Sequence, residues 1–236
     1  MNNRHTLYAI RRGVGNKAAV LLVAGLGILF APQIDAAAFT VEAAQLVQPG
    51  HCELAVVYSQ AGRDADTDNL RAAPSCGVTA NVELSAELAR ARVAGDADTE
   101  FELGANVLAR ELVRGSYGWG FGITSQWVEG VDRHDELVAY VPLSVHVANR
   151  LVMHYNIGWA NRRDRDDVMI WGVRAEHALH ARWTLNGEAY GTDRGGTEFQ
   201  AGIGFAAGAA TFQVAYGRTR DDHRNDWWTG AVAWFF

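Results

Sequence analysis

Trp228-Thr229-Gly230-Ala231-Val232-Ala233-Trp234-Phe235-Phe236 closes the chain. Trp228, Gly230, Val232, Trp234 and Phe236 share one parity, and Thr229, Ala231 and Ala233 share the other. A period of two is the signature of a strand with two unlike faces. Large aromatic and aliphatic groups on one face, with small and polar groups opposite, reverse the dressing of a soluble sheet edge. An aromatic final residue on such a strand also has the form of an outer-membrane insertion signal, for which Trp234 and Phe236 are the candidates.

The same alternation recurs upstream. Leu151, Met153, Tyr155, Ile157 and Trp159 stand against His154, Asn156 and Gly158. Leu137, Val141, Leu143, Val145 and Val147 stand against Tyr140, Ser144 and His146. Residues 182–192, 197–206 and 210–218 follow the pattern, and strands are read near 52–61, 70–78, 82–93, 100–112, 118–129 and 168–178. With the final segment this predicts twelve strands of about ten residues, the length of a tilted bilayer crossing. The strand at 70–78 carries Pro74. It is kept because bacterial barrels hold an even number of strands.

The connections separate by composition. Beyond residue 38 every aspartate falls in one of six segments, marked by Asp64, Asp66 and Asp68, by Asp96 and Asp98, by Asp132 and Asp135, by Asp164, Asp166 and Asp167, by Asp193, and by Asp221, Asp222 and Asp226. The intervening turns, 79–81, 113–116, 148–150, 180–181 and 207–209, are short and carry few charges. Long polar loops at one end and tight turns at the other characterise an outer-membrane barrel. In lipid every backbone amide needs an internal partner, so the sheet must close on itself. The expected fold is therefore all-β, a single antiparallel up-and-down transmembrane barrel with an apolar exterior and a polar interior.

The first residues fit export. Arg4, Arg11, Arg12 and Lys17 precede an apolar run from Ala18 to Ala31, followed by Ala36-Ala37-Ala38. This is the form of a cleaved secretory signal, and the run is short for a helical span of about 20 residues. The reading divides the chain into a signal peptide at 1–38, a periplasmic segment at 39–50 and a barrel at 51–236, in the outer membrane of a Gram-negative bacterium. After cleavage the chain keeps 17 Arg against 26 acids, which excludes a nucleic-acid partner on charge grounds. Cys52 and Cys76 are the two cysteines. In an exported chain they are expected to bridge, and a hairpin of 52–61 with 70–78 sets them opposite each other near its base.

With the polar face inward, the candidate pore lining is Glu83, Glu87, Glu102, Asn106, Arg110, Gln126, Arg174, Glu176, Glu188 and Glu198. Tyr140, His146, His154, Asn156, Asn186, Tyr190, Gln200 and Gln213 share that face. Carboxylates outnumber arginines there. Buried charges need partners or water, so two readings compete. One is a narrow wet lumen passing cations or small polar solutes. The other is a barrel filled by its own polar side chains, serving structure or surface binding. A twelve-strand barrel lies between the small filled barrels and the wide porins. Ser144 and His146 form the one nucleophile–base pair in reach of an outer-membrane hydrolase reading, with no third group to orient them. His146 and His154 lack a third metal ligand, and Asp64-Ala-Asp66-Thr-Asp68 lacks the glycine and final glutamate of a calcium loop. No catalytic residue, metal or cofactor is expected. The expected partners are outer-membrane lipid and lipopolysaccharide, the barrel assembly machinery and a small-molecule solute.

Two stretches resemble a known family. Gln48-Pro49-Gly50-His51-Cys52-Glu53-Leu54 opens the first strand, and Gly77-Val78-Thr79-Ala80-Asn81-Val82-Glu83-Leu84 is similar to the turn of the putative MetA-pathway of phenol degradation family. Asn81 and Val82 depart from that family's Asp-x-Leu spacing. The resemblance implies an outer-membrane barrel that passes small, even aromatic, compounds, and implies no catalytic residues.

Overall fold

The computed structural model describes residues 38–61, 67–93, 96–129, 135–163, 165–220 and 226–236. Within them the chain forms twelve antiparallel strands that close into a barrel in sequence order. They are β1 (Cys52–Ala61), β2 (Thr67–Thr79), β3 (Val82–Val93), β4 (Asp96–Arg110), β5 (Tyr117–Val128), β6 (Glu136–Ala148), β7 (Leu151–Arg162), β8 (Val168–His180), β9 (Trp183–Thr192), β10 (Thr197–Ala207), β11 (Ala210–Thr219) and β12 (Asp226–Phe235). Closure is made by β1 on β12, in register from Glu53 opposite Phe235 to Ala61 opposite Trp227. Cys52 and Phe236 then exchange both of their backbone hydrogen bonds, at 2.8 and 2.9 Å. The ladder is thus paired to the last residue.

Alternation sorts the faces as the sequence predicts. Leu88 and Ile157 are 56% and 55% exposed, and Leu103, Ile123, Leu185 and Val214 are exposed beside them. Apolar surface of this extent must be covered, and on a closed barrel it forms the band that faces lipid. Trp119, Trp183 and Trp234 lie on the outer face toward the short-turn end, while Trp127, Trp159, Trp171 and Trp228 lie toward the other end. Trp183 stacks on Phe205 with ring centroids 4.6 Å apart, and Tyr216 on Trp228 at 4.9 Å. Such pairs make two aromatic girdles. Trp227 does not join them. One residue from Trp228, it points inward, is 3% exposed and donates its indole N–H to Gln200 Oε1 at 2.6 Å.

Several boundaries differ from expectation. β2 begins at Thr67 and β4 at Asp96, so Asp68, Asp96 and Asp98 lie in strand ends. The link 111–116 at the opposite end is longer than the turn expected there. The other turns at that end, at 80–81, 149–150, 181–182 and 208–209, are two residues long, short as the sequence predicts. Asp64, Asp66, Asp132, Asp164, Asp221, Asp222 and the signal at 1–37 lie outside the described residues.

β2 shows the effect of its proline. Its ladder with β3 lapses between Ala72 and Ser75, around Pro74, and the register shifts between Gly77 and Thr79. Proline has no N–H to offer a ladder. On its other side β2 is in register with β1 only at Cys52–Cys76 among the described residues. Those two cysteines are joined in a disulfide.

Candidate functional site: a lumen shared with residues 38–47

The sequence reading places residues 39–50 in the periplasm. Residues 38–47 instead lie inside the barrel, along the inner wall. Ala44 is 0% exposed and Val41 2%, and Ala38, Phe39 and Val47 are also buried. The physical reason is visible in the residues: Phe39, Val41 and Val47 gain by leaving water. Dry main-chain amides require partners, and inward side chains of the wall supply them.

The contacts run around the wall. Ala38 donates its amide to Gln213 Oε1 at 2.8 Å and accepts from Gln200 Nε2 at 2.6 Å. The Glu188 carboxylate accepts the amides of Thr40, at 3.0 and 3.1 Å, and of Val41, at 2.9 Å. Asn156 clamps Glu42 at both ends, accepting its amide at 2.7 Å and donating to its carbonyl at 2.9 Å. Ala44 donates to Ser144 Oγ at 2.8 Å, and Val47 to Glu83 Oε2 at 2.8 Å. Phe39 and Ala38 pack on Val57, Ala215 and Ala231, while Val41 packs with Tyr190 and Trp227. Gly172 gives way to the segment: a Cβ there would stand 2.6 Å from Val41 Cγ2.

This segment divides the lumen. On β8 to β12 the inward polar groups Arg174, Asn186, Glu188, Gln200, Gln213 and Thr229 are buried. On β2 to β5 the inward residues Arg71, Ser85, Glu87, Glu102, Asn106, Thr124 and Gln126 are half-buried and reached by solvent. Glu87 lies opposite Glu102 in register. Arg71 faces Glu87 across 3.6 Å. The open side is thus lined by carboxylates, amides and one arginine.

The candidate lining residues separate between the two sides. Glu87, Glu102 and Gln126 line the open side, where Gln126 donates to Glu100. Asn106 joins the two sides. It donates to Glu83 at 3.4 Å and accepts the Tyr140 hydroxyl at 2.8 Å. The Tyr140 ring lies over Gly122, where any Cβ would collide with it. Glu83 and Glu188 hold the segment and do not face an open pore. Arg174 is 2% exposed and stands in register between His154 and Glu188. Glu198 is inward and half-buried near the other end of β10.

Arg110 is a correction. Strict alternation turns it inward, but the register shifts between Leu108 and Arg110, which sets Arg110 opposite Trp119. One extra residue in a strand reverses the facing of every residue beyond it. Arg110 therefore lies at the outer rim, its guanidinium 4.0 Å from the centre of the Tyr117 ring and donating to Ser116 Oγ at 2.8 Å. Arg71, Glu100 and Glu136 also face inward and were missed. They belong to strands whose starts the sequence reading placed too late, or to a position whose alternation was not followed to the strand end.

Ser144 does not pair with His146. Its Oγ lies 2.7 Å from Nδ1 of His154 on the neighbouring strand, and His154 Nε2 is 3.8 Å from Glu176. Ser144 is 0% exposed, and its hydroxyl is already engaged by the Ala44 amide. Ser144 thus anchors the segment at Ala44, with His154 and Glu176 behind it. His154 is committed to that array, and among the described residues no group of three or more metal-ligating side chains comes together.

Solved structures resemble this architecture. A KdgM porin matches with a TM-score of 0.64 at 11% identity, covering 77% of this chain and 98% of that one. A NanC porin matches with a TM-score of 0.58 at 12% identity, covering 78% and 98%. These likenesses concern the fold. No curated protein sequence matches. The turn at Gly77–Leu84, similar to that of the phenol-degradation family, is a strand–turn–strand piece that many barrels can share, and it does not decide the family. A match over nearly the whole chain does: by the model spanning residues 25–234, the chain belongs to the family described as Uncharacterised conserved protein UCP029691.

Proposed function

We propose that the protein is an outer-membrane channel for small hydrophilic solutes, with a preference for cations, and that the route runs along β2 to β5 beside residues 38–47. The observation that carries this reading is the uneven lumen. Most inward polar side chains are reached by solvent on β2 to β5, Glu83 and Glu100 excepted, and most are buried on β8 to β12, Glu176 and Glu198 excepted. Solvent-reached carboxylates at Glu87 and Glu102 favour cations in a narrow path. The resemblance to structures titled KdgM and NanC porin supports the same direction through the fold. An export signal cut after Ala36, which leaves Ala38 in the mature chain, Phe236 as an assembly signal, and lipopolysaccharide and the assembly machinery as partners belong to this reading.

The packing of residues 38–47 favours a second reading, a structural barrel with no through path. Planar-bilayer recordings separate the two. The channel reading predicts small unitary currents and a zero-current potential on the cation-selective side in a salt gradient. Folded protein that passes no current would leave the structural reading. Neutralising Glu87 and Glu102 together, as Glu87→Gln and Glu102→Gln, is expected to move the zero-current potential toward zero. A charge about 5 Å from a passing ion in a water-like medium is worth just under 1 kcal/mol, roughly fourfold in relative permeability. An unchanged potential would show that the ions take another route.

A further inference from the structure

We propose that the sealed side of the lumen is a binding site for a short peptide in a bent, irregular conformation, and that residues 38–47, which bend at Thr40, Val41 and Ala44, fill it in cis as a built-in stand-in for that ligand. The proposal goes beyond the solute route, which runs on the other side of the segment. Six wall side chains, Gln213, Gln200, Glu188, Asn156, Ser144 and Glu83, reach main-chain atoms of the segment. Two of the contacts are two-sided. Ala38 is held at N–H and C=O by a glutamine pair, and Glu42 at both by the amide of Asn156. Groups that recognise main chain recognise any peptide presented at the right height. Specificity then comes from the apolar surroundings that receive its side chains. Two pockets are present. Phe39 lies against Val57, Ala215 and Ala231, and two residues on Val41 lies against Tyr190 and Trp227, in the space that Gly172 leaves. The fitting ligand is therefore a short chain that bends as residues 38–47 do, with an aromatic residue followed, two positions later, by a β-branched aliphatic.

The connection to the barrel is short, and the Gly50 amide ties it to the Gly77 carbonyl at 2.9 Å. Gln48, Pro49 and Gly50 are exposed, and Gly50 takes a φ of 77°, a backbone state that favours glycine. A short tether of this kind holds its segment at an effective concentration in the millimolar range. A free peptide must therefore compete at that level, or the tether must be cut.

The test inserts a protease site between Pro49 and Gly50 of the full-length protein. The purified protein is cut in detergent micelles and washed, and then titrated with a fluorescent synthetic peptide of residues 38–47. Saturable anisotropy is expected. Replacing the phenylalanine of the peptide by alanine should weaken binding roughly tenfold or more, because the ring no longer buries its apolar surface against the wall. Methylating the backbone amides that correspond to Thr40, Val41 and Ala44 should abolish it. Equal binding of the methylated peptide, or no binding after the cut segment has left, would overturn the proposal. Should cutting unfold the barrel, the uncut protein serves: peptide at several millimolar is expected to displace the segment and speed proteolysis within 39–47, and an unchanged rate overturns the proposal. Binding is read without a bilayer. A cut protein that binds peptide but passes no current contradicts the channel reading alone, whereas one that conducts but binds no peptide contradicts only the peptide site.

Discussion

Glu188→Ala protein loses its hold on residues 38–47, and protease cuts within that segment at least about ten times faster than in the parent. The Glu188 carboxylate holds two consecutive amides, those of Thr40 and Val41, at 2.9 to 3.1 Å. Hydrogen bonds to a charged acceptor contribute about 1.5–3 kcal/mol, and an amide left dry and unpaired costs a similar amount. The loss is concentrated where Val41 turns into the pocket of Tyr190 and Trp227, so the apolar packing loosens with it. Tenfold corresponds to about 1.4 kcal/mol, the lower bound of this expectation. Glu188→Gln keeps one acceptor oxygen and is expected to show a smaller effect. Heat-modifiable gel migration confirms that the barrel remains folded during the comparison. A cleavage rate equal to that of the parent would mean that the carboxylate does not secure the segment.

Removing the disulfide has the largest expected effect on the barrel itself. Among the described residues β1 has nine residues in register with β12, but meets β2 in register only where Cys52 faces Cys76. Beyond that staple, Gly77 bonds with Gly50 and His51 across the same junction, at 2.9 and 3.1 Å. The bridge spans a sequence separation of 24, and closing a loop of that size lowers the unfolded-state entropy by about 3 kcal/mol at room temperature. For a chain of this size that translates into a melting point lower by about 6–12 °C. Cys52→Ala, Cys76→Ala and the double variant should fall together, because any of the three breaks the same bond. The temperature at which the folded gel band disappears is the readout. A shift below about 2 °C would show that the β1–β2 junction stands without its staple.

Much of the fold was legible because lipid imposes a simple rule. Met153 to Trp159 and Trp228 to Trp234 alternate without interruption, and both lie in strands with the expected faces. The disulfide was legible for a related reason: a hairpin register leaves Cys52 one partner. Alternation failed where a strand stops obeying it. At Arg110 a register shift moved a charge from lumen to rim, and nothing in Leu108-Ala109-Arg110 announces a bulge. At Trp227 two adjacent indoles take opposite faces, so a tryptophan near a strand end need not belong to a girdle.

The segment 38–47 was hidden for a different reason. Phe39, Val41 and Val47 carry an apolar pattern, but one too short to distinguish a strand from a linker. Its bonds are long-range, separated by up to 175 positions from their wall partners. The wall residues were themselves assigned to the interior correctly, Asn156, Gln200 and Gln213 among them. Polar side chains facing a lumen look the same in sequence whether they meet water or a peptide backbone. The structure separates the two through burial, with Glu188 and Gln200 sealed while Glu102 and Gln126 stay wet.

The central claim is that one lumen holds both a fixed segment and an open acidic path. Ala44→Cys with Ser144→Cys tests both halves at once, since the Ala44 amide lies 2.8 Å from Ser144 Oγ. The measurement is the single-channel current of the cross-linked protein in a salt gradient. The account predicts that the two cysteines bridge and that the locked protein still conducts, with cation preference retained. A pair that fails to bridge, or a bridged protein that carries no current, would contradict it.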